Sequence, residues 1–306
     1  MTDVGTTFAG YRIEEEVGRG GMGLVYRATE IAADRRVALK VILPEYSADP
    51  SFRSRFEREA RLAAQLAHPN IIPTFETGEH DGQLFLAMQF LEGVDLDTVI
   101  VRESRLHPRH AAPIIAQVAA ALDAAHRQGL VHRDVKPANV LLTAGGEGIQ
   151  AFLTDFGLSK LTSSKSGLTK TGVWVGTVDY SSPEQIQGRS VDARTDVYSL
   201  GCLLHQVLSG EVPFPKEREI SKIVAHLSEP VPPISQRAPE CPENEALDVI
   251  VRRAMAKDPA ERYPSAGQLA VELTAVANRT PDPPQLSLDA PRVQETTVDR
   301  SAPTAG

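Results

Sequence analysis

An α+β chain in two unequal lobes, a small β-rich one with one key helix and a larger, mainly helical one, is predicted by three observations. Strand-like segments crowd the first 91 residues, interrupted by a single helical stretch. From about residue 95 onward the apolar residues recur at helical spacing instead. Past residue 278 the composition turns to proline, with few large apolar residues. The 306 residues, 33.1 kDa, are enough for a substantial core. A net charge of -8 speaks against a general nucleic-acid binder, which would ordinarily be basic. The two cysteines, Cys202 and Cys241, make neither a disulfide framework nor a zinc spacing. Cys202 sits in an apolar helical run and reads as an inert buried thiol. No apolar run reaches the roughly 18 residues of a membrane span, and the N-terminus lacks a signal-peptide pattern, so the expected compartment is the cytoplasm.

Taken in order, residues 1–10 are an N-terminal extension. Residues 11–17 alternate loosely, Gly18 to Gly23 form a turn cluster, and 24–29 and 36–43 are β-branched and apolar. A helix is expected over 52–66, stopped by His68-Pro69-Asn70. Strand signals return at 71–77 and 84–91, with His80-Asp81-Gly82 turning between them. Residues 111–128 are Ala-rich and helical and end at Gly129, a good C-terminal cap. Further helices are expected near 195–208, 217–227, 245–256 and 265–277. The domain thus runs over 11–277, with its lobes meeting at 91/92, and 278–306 reads as a disordered Pro-rich tail.

The segment L-V-H-R-D-V-K-P-A-N-V-L-L, Leu130 to Leu142, carries the chemistry most openly. Two apolar runs bracket His132, Arg133, Asp134, Lys136 and Asn139. Burying such groups unpaired costs roughly 2–7 kcal/mol each, so they are placed to meet something. G-R-G-G-M-G-L-V, Gly18 to Val25, fits G-x-G-x-x-G-x-V; alone it is equally a glycine-rich hairpin or a dinucleotide-binding turn. A dinucleotide turn would need a helix opening at Gly23, whereas L-V-Y-R-A-T continues as strand. The glycines therefore sit at a hairpin tip, where backbone N–H groups can approach phosphate oxygens. Lys40 ends the strand V-A-L-K with a buried base and wants an anion. Phe52, Phe56, Glu59, Ala63 and Leu66 recur at helical steps, which sets Glu59 on the core-facing stripe as the expected partner of Lys40. Glu57, one turn from Arg53 and Arg61, belongs to a solvated outer ladder. Asp155 in T-D-F-G ends a strand and, with Asn139, offers a hard cation oxygen ligands.

In this order these motifs resemble those of protein kinases. Ser182-Pro183-Glu184 stands where that family has Ala-Pro-Glu, Asp196 matches the helix that braces the catalytic loop, and Arg262 matches the arginine that pairs with Glu184. The likeness spans about residues 11–277. H-R-D-V-K-P-A-N and Gly176-Thr177 resemble the serine/threonine branch, and R-G-G-M-G and S-P-E-Q resemble the bacterial eukaryotic-like (Hanks-type, PknB-like) serine/threonine protein kinases.

The resemblance implies ATP with Mg2+, or Mn2+ in its place. It implies that Asp134 orients the substrate hydroxyl, Lys136 neutralises the moving phosphoryl, Asn139 and Asp155 hold the metal, and Lys40, fixed by Glu59, holds the α- and β-phosphates. The nucleotide would lie among Val17, Gly18, Arg19, Gly20, Gly21, Met22, Gly23, Val25, Ala38, Leu141, the gatekeeper Met88 and the hinge residues Gln89 and Leu91. Asp95 would meet the ribose. Arg133 would receive a phosphate from the activation segment, for which Thr169 and Thr171 are the candidates, while Thr177 would be structural. Implied partners are protein substrates, a transient homodimer for autophosphorylation, and forkhead-associated domains that read phosphothreonine at Thr296 or Thr297. Relatives often continue into a membrane span, so the alternative location is the cytoplasmic part of a longer, anchored kinase. A pseudokinase scaffold and a small-molecule kinase of related fold are the competing functions. The presence of Lys40, Asp134, Asn139 and Asp155 opposes the first, and the long segment between Asp155 and Glu184 opposes the second.

Overall fold

Burial alternates along the early strands and builds a six-stranded antiparallel sheet. The strands are β1 (Thr7–Phe8), β2 (Tyr11–Gly20), β3 (Gly23–Glu30), β4 (Arg35–Ile42), β5 (Thr74–His80) and β6 (Gln83–Gln89), in the order β1-β2-β3-β4-β6-β5. The computed structural model describes residues 4–146, 148–156 and 178–288. β2 and β3 meet in a tight hairpin whose last pair is Gly20 and Gly23, as the strand-like run after Gly23 requires. Gly23 has a packing reason to lack a side chain: a Cβ there would stand 2.4 Å from the Val41 carbonyl oxygen of β4.

Short helix α1 (Pro44–Ser47) leads into α2 (Pro50–Ala63), which begins two residues before the expected start. Asp49 explains the shift. Its carboxylate accepts from the N–H groups of Ser51 (2.8 Å) and Phe52 (3.4 Å), and Pro50 takes the first helical position, where a missing N–H costs nothing. Phe52, Phe56 and Ala60 of α2 pack with Ile42, Leu84, Leu86 and Met88 beneath the sheet. β5 starts three residues later than the pattern suggests, because Ile71 bridges to Leu153 and packs into the core of the second lobe.

That lobe begins with β7 (Val94–Asp95), α3 (Leu96–Glu103) and α4 (Pro108–Arg127). Gly129 follows α4 with φ +74°, the left-handed step that ends a helix. β8 (Val140–Gly145) and β9 (Gly148–Leu153) form a hairpin that joins β7 in a three-stranded sheet. Then come α5 (Pro183–Ile186), α6 (Ala193–Ser209), α7 (Glu219–Ser228), α8 (Asn244–Ala254) and α9 (Ala266–Ala277). The four long ones fall where the periodicity puts them. α4 and α6 are the central members of one large apolar core. Cys202, on α6, is fully buried, and burial pushes its thiol far above the ordinary range, as expected of an inert thiol. Among the described residues no helix is long and apolar enough to cross a membrane.

The expectation of a disordered tail from residue 278 is corrected as far as residue 288. Arg109 on α4 gathers this stretch, donating to the carbonyls of Thr280 (2.7 Å) and Asn278 (3.1 Å) and pairing with Asp282 at 2.5 Å. Arg102 donates to the Ser287 carbonyl, and Leu286 and Leu288 pack against the core. Low hydrophobic content misleads here because polar anchors on α3 and α4 do the holding.

Candidate active site

The small lobe contributes one sheet face to the cleft. In the β3–β4–β6 register Val25 lies opposite Lys40, and Ala38 opposite Met88, so all four side chains share that face. Lys40 and Met88 are buried, whereas Val25 and Ala38 are partly open, and Leu141 of β8 and Leu91 are half-exposed as well. Gly18 pairs with Val25 at the mouth of the same face. A Cβ at Gly18 or Gly20 would meet nothing nearer than 3.8 Å, and one at Gly21 nothing within 4 Å. Packing therefore does not explain these three glycines; the space beside their backbone is open to a ligand, which fits a phosphate cradle. Val17 is exposed, Arg19 is paired with Glu16 at 3.1 Å, and Met22 packs on the cluster under the sheet. Gln89 donates its N–H to the Pro73 carbonyl (2.9 Å), which fixes the connection between the lobes.

The large lobe contributes the loop between Leu130 and Val140. Lys136 Nζ stands 2.9 Å from Asp134 Oδ2, and Asn139 Nδ2 donates to both the Asp134 carbonyl (2.8 Å) and Oδ2 (2.9 Å). The three polar groups singled out in the sequence thus meet in one cluster. Arg133 holds φ +68° and Asp155 φ +62°, left-handed values that cost an L-residue on the order of 1–3 kcal/mol each. Asp196, fully buried on α6, holds the first of these: its carboxylate accepts from the N–H groups of His132 (2.8 Å) and Arg133 (2.7 Å) and lies 2.6 Å from His126 Nε2. His132 Nε2 meets the Thr154 carbonyl at 2.8 Å, and its ring packs on Phe156 with centroids 4.7 Å apart, which ties the loop to Asp155. Further down, Arg262 pairs with Glu184 through two bonds of 2.7 and 2.8 Å, as the sequence reading expects.

Lys40 bridges the two halves, but not through the expected partner. Its Nζ is 2.7 Å from Asp155 Oδ1, while Glu59 Oε1 faces Arg133 Nη1 at 3.4 Å and Arg58 Nη2 at 3.5 Å. The periodicity is right about burial, since Glu59 is 4% exposed, and wrong about the neighbour. A helical repeat fixes which face of α2 turns inward, whereas the rotation of α2 about its axis decides which cation that face meets. Burial raises the Glu59 carboxyl above its ordinary pKa, opposed only in part by Arg133 and Arg58. Burial also pushes Asp155 upward, but the Lys40 ammonium outweighs it and holds that carboxyl below its ordinary value. The outer ladder differs too, since Arg53 pairs with Glu79 rather than leaning on Glu57 alone.

Asp95 has a structural role that the sequence reading did not assign. Its two carboxylate oxygens accept from the Thr98 N–H (2.8 Å) and hydroxyl (2.9 Å), so the residue expected to meet a ribose also caps α3. Sequence reasoning passed over His126, whose ring joins Asp196, and Gln185, whose amide donates to the Arg133 carbonyl at 3.0 Å. Only the proximity of α4 and α5 to the loop reveals them. Thr169, Thr171 and Thr177 lie outside the described residues.

A cleft with a lysine and glycine hairpin above and an Asp-Lys-Asn cluster with Asp155 below has the layout of a protein kinase site. Residues 11–272 match the protein kinase domain family, and the chain belongs to it. It is 44% identical over 268 residues to the serine/threonine-protein kinase PknH of Mycobacterium bovis, covering 88% of this chain and 44% of PknH. It is also 44% identical over 272 residues to PknD of Mycobacterium tuberculosis, covering 89% of this chain and 40% of PknD. The chain therefore spans less than half the length of these relatives. Among solved structures, the PknI kinase domain of M. tuberculosis matches with a TM-score of 0.74 and 33% identity, covering 91% of this chain and all of that domain.

Proposed function

We propose that the chain is an ATP-dependent serine/threonine protein kinase. The observation that carries this is the Asp134–Lys136–Asn139 cluster facing a cleft whose other wall bears Lys40 paired with Asp155. In this reading Asp134 accepts the hydrogen bond of the substrate hydroxyl and aims its oxygen at the γ-phosphate. Lys136, already beside Asp134, neutralises charge on the phosphoryl group as it moves. Lys40 exchanges its bond to Asp155 for the α- and β-phosphates, and Val25, Ala38 and Leu141 enclose the adenine. The donor set suits a hard divalent ion: Asn139 and Asp155 would hold Mg2+, or Mn2+ in its place, and the ion supplies charge neutralisation on the phosphates. Nearly all of this is positioning and electrostatics, so removing one preorganised group costs about a hundredfold or more in rate.

The serine/threonine preference is supported by Lys136, two positions after Asp134. Autophosphorylation at Thr169 and Thr171 would deliver a phosphate to Arg133, by way of a transient homodimer. Thr296 or Thr297, once phosphorylated, would offer a forkhead-associated domain its ligand. The domain works in the cytoplasm, or as the cytoplasmic part of a longer anchored protein, where ATP is supplied. The test is transfer of labelled phosphate from ATP to a generic basic protein. Asp134→Asn should fold normally and lose about a hundredfold or more of the rate; near-wild-type transfer by this variant defeats the assignment.

A further inference from the structure

We propose that Lys257 is an acyl-acceptor site, whose amine takes an activated acyl group from a small acyl phosphate or acyl thioester. The inference does not rest on the phosphotransfer reading, since no cleft residue is among the partners of Lys257. Every other lysine among the described residues has a carboxylate: Lys40 has Asp155 (2.7 Å), Lys136 has Asp134 (2.9 Å), Lys216 has Glu229 (3.0 Å) and Lys222 has Asp179 (2.7 Å). Lys257, just after α8, has none. Its Nζ donates to the Ala225 carbonyl in the last turn of α7 (3.2 Å) and lies 4.9 Å from the Phe214 ring centroid and 5.8 Å from that of Tyr198. The Arg262 guanidinium sits 4.9 Å from the same Tyr198 centroid and donates to the Lys257 carbonyl at 3.2 Å. Two cations therefore crowd one ring, and neither a ring nor a neutral carbonyl carries the full negative charge that would settle an ammonium.

These surroundings favour the neutral amine, which is the nucleophile. Burial, helped by Arg262, lowers the Lys257 ammonium from 10.5 to about 8. Little opposes it: Glu229 is engaged by Lys216, and the other titratable groups packed here, Cys202 and Tyr198 on α6 and His226 on α7, are all neutral at pH 7. Lys257 is also partly exposed, so a small donor can reach it. At pH 7.5 about a quarter of such amines are uncharged, against roughly one in a thousand for an ordinary lysine. Lower basicity weakens a nucleophile and returns about an order of magnitude of that gain, which leaves an advantage of about tenfold. In the reaction the nitrogen lone pair attacks the acyl carbon and a C–N bond forms. The C–O bond to phosphate, or the C–S bond of the thioester, breaks; phosphate or thiolate leaves, and the nitrogen gives its extra proton to solvent. The amide that results has no charge to place over Phe214 and Tyr198, so the last turn of α7 loses a tie to α6.

The test incubates the full chain with acetyl phosphate, and separately with acetyl-coenzyme A, at pH 7.5 and follows acetylation residue by residue by mass spectrometry. With at least one donor Lys257 should be modified about tenfold faster than Lys216 or Lys222, and its rate should rise with a midpoint near pH 8. Whichever donor gives that preference identifies the source of the acyl group. In urea the preference should vanish, because the fold creates it. The acetylated wild type should melt a few degrees lower, whereas Lys257→Arg treated in the same way should keep its Tm. Equal shifts in the two would overturn the tie between Lys257 and α7. Labelling of Lys257 no faster than of Lys216 and Lys222 with both donors, or a preference that persists in urea, overturns the site itself.

Discussion

Replacing Arg262 by Met should be among the most damaging single changes outside the cleft. The guanidinium has five N–H donors, and all five are used: two on Glu184, and one each on the carbonyls of Ala256, Arg194 and Lys257. It also lies over the Tyr198 ring, 4.9 Å from the centroid. Arg262 is 2% exposed and Glu184 6%, so removing the cation leaves a buried carboxylate with the Thr195 hydroxyl, at 2.8 Å, and a backbone N–H but no cation of the described residues bonded to it. Breaking such a pair from one side costs about 3–5 kcal/mol, which for a domain of this size is about 6–10 °C in Tm. The pH dependence gives a second handle. Burial pushes the Glu184 carboxyl up, but Arg262 outweighs it and holds the group below its ordinary value. In the wild type its stabilisation is therefore present at neutral pH and lost as pH falls through that depressed value. Without Arg262 burial is opposed only by the weaker hydrogen bonds that remain, the pKa rises, and protonation relieves the penalty, so the gap between variant and wild type should narrow on acidification. Calorimetry at pH 7 and pH 5 measures both effects. A loss below about 1 kcal/mol, the range of surface pairs, or a gap that widens in acid, would refute the reasoning.

Acid should also weaken the fold through His226, whose pKa burial, helped by Lys257, lowers from 6.5 to about 3. Between those values the unfolded chain binds a proton that the fold refuses, so stability falls as pH drops, by at most about 1.4 kcal/mol per unit; His226→Gln should flatten the change in urea midpoint between pH 7 and 5. Gly23→Ala should destabilise the small lobe, because its Cβ would meet backbone of β4, whereas Gly21→Ala should leave the melting temperature unchanged; equal melting curves for the two would contradict the packing argument. Arg109→Ala should free the segment after α9, read as faster proteolytic cleavage around residues 278–288 with the rest of the chain intact.

The division into lobes, the long helices and the Asp134–Lys136–Asn139 cluster were legible because each is written locally, in periodicity or in polar groups caught between apolar runs. The Glu184–Arg262 pair was legible only through resemblance, since 78 positions separate its members. What escaped depends on rigid-body placement. The repeat along α2 says that Glu59 is buried but cannot say whether Lys40 or Arg133 faces it. Asp95 has the residue type of a ligand contact, and its second role as the cap of α3 shows only once the Thr98 N–H is placed beside it. The stretch after α9 looks too polar to order itself, and alone it is; the anchors are arginines more than 150 positions away in the chain.

The apolar interior is not continuous from top to bottom. The small lobe has its own clusters, above and below its sheet, while α4 and α6 organise a separate one. Asp134, Lys136 and Asn139 hang from the second through Asp196, and Lys40 with the glycine hairpin rides on the first. On the proposed function, a change in the angle between the lobes would alter the distance from the nucleotide-binding groups to the hydroxyl-orienting ones without deforming either set. Turnover would then divide naturally: the large lobe would keep its acceptor geometry from one cycle to the next, and exchange of spent nucleotide for fresh would be governed by how readily the small lobe lifts away.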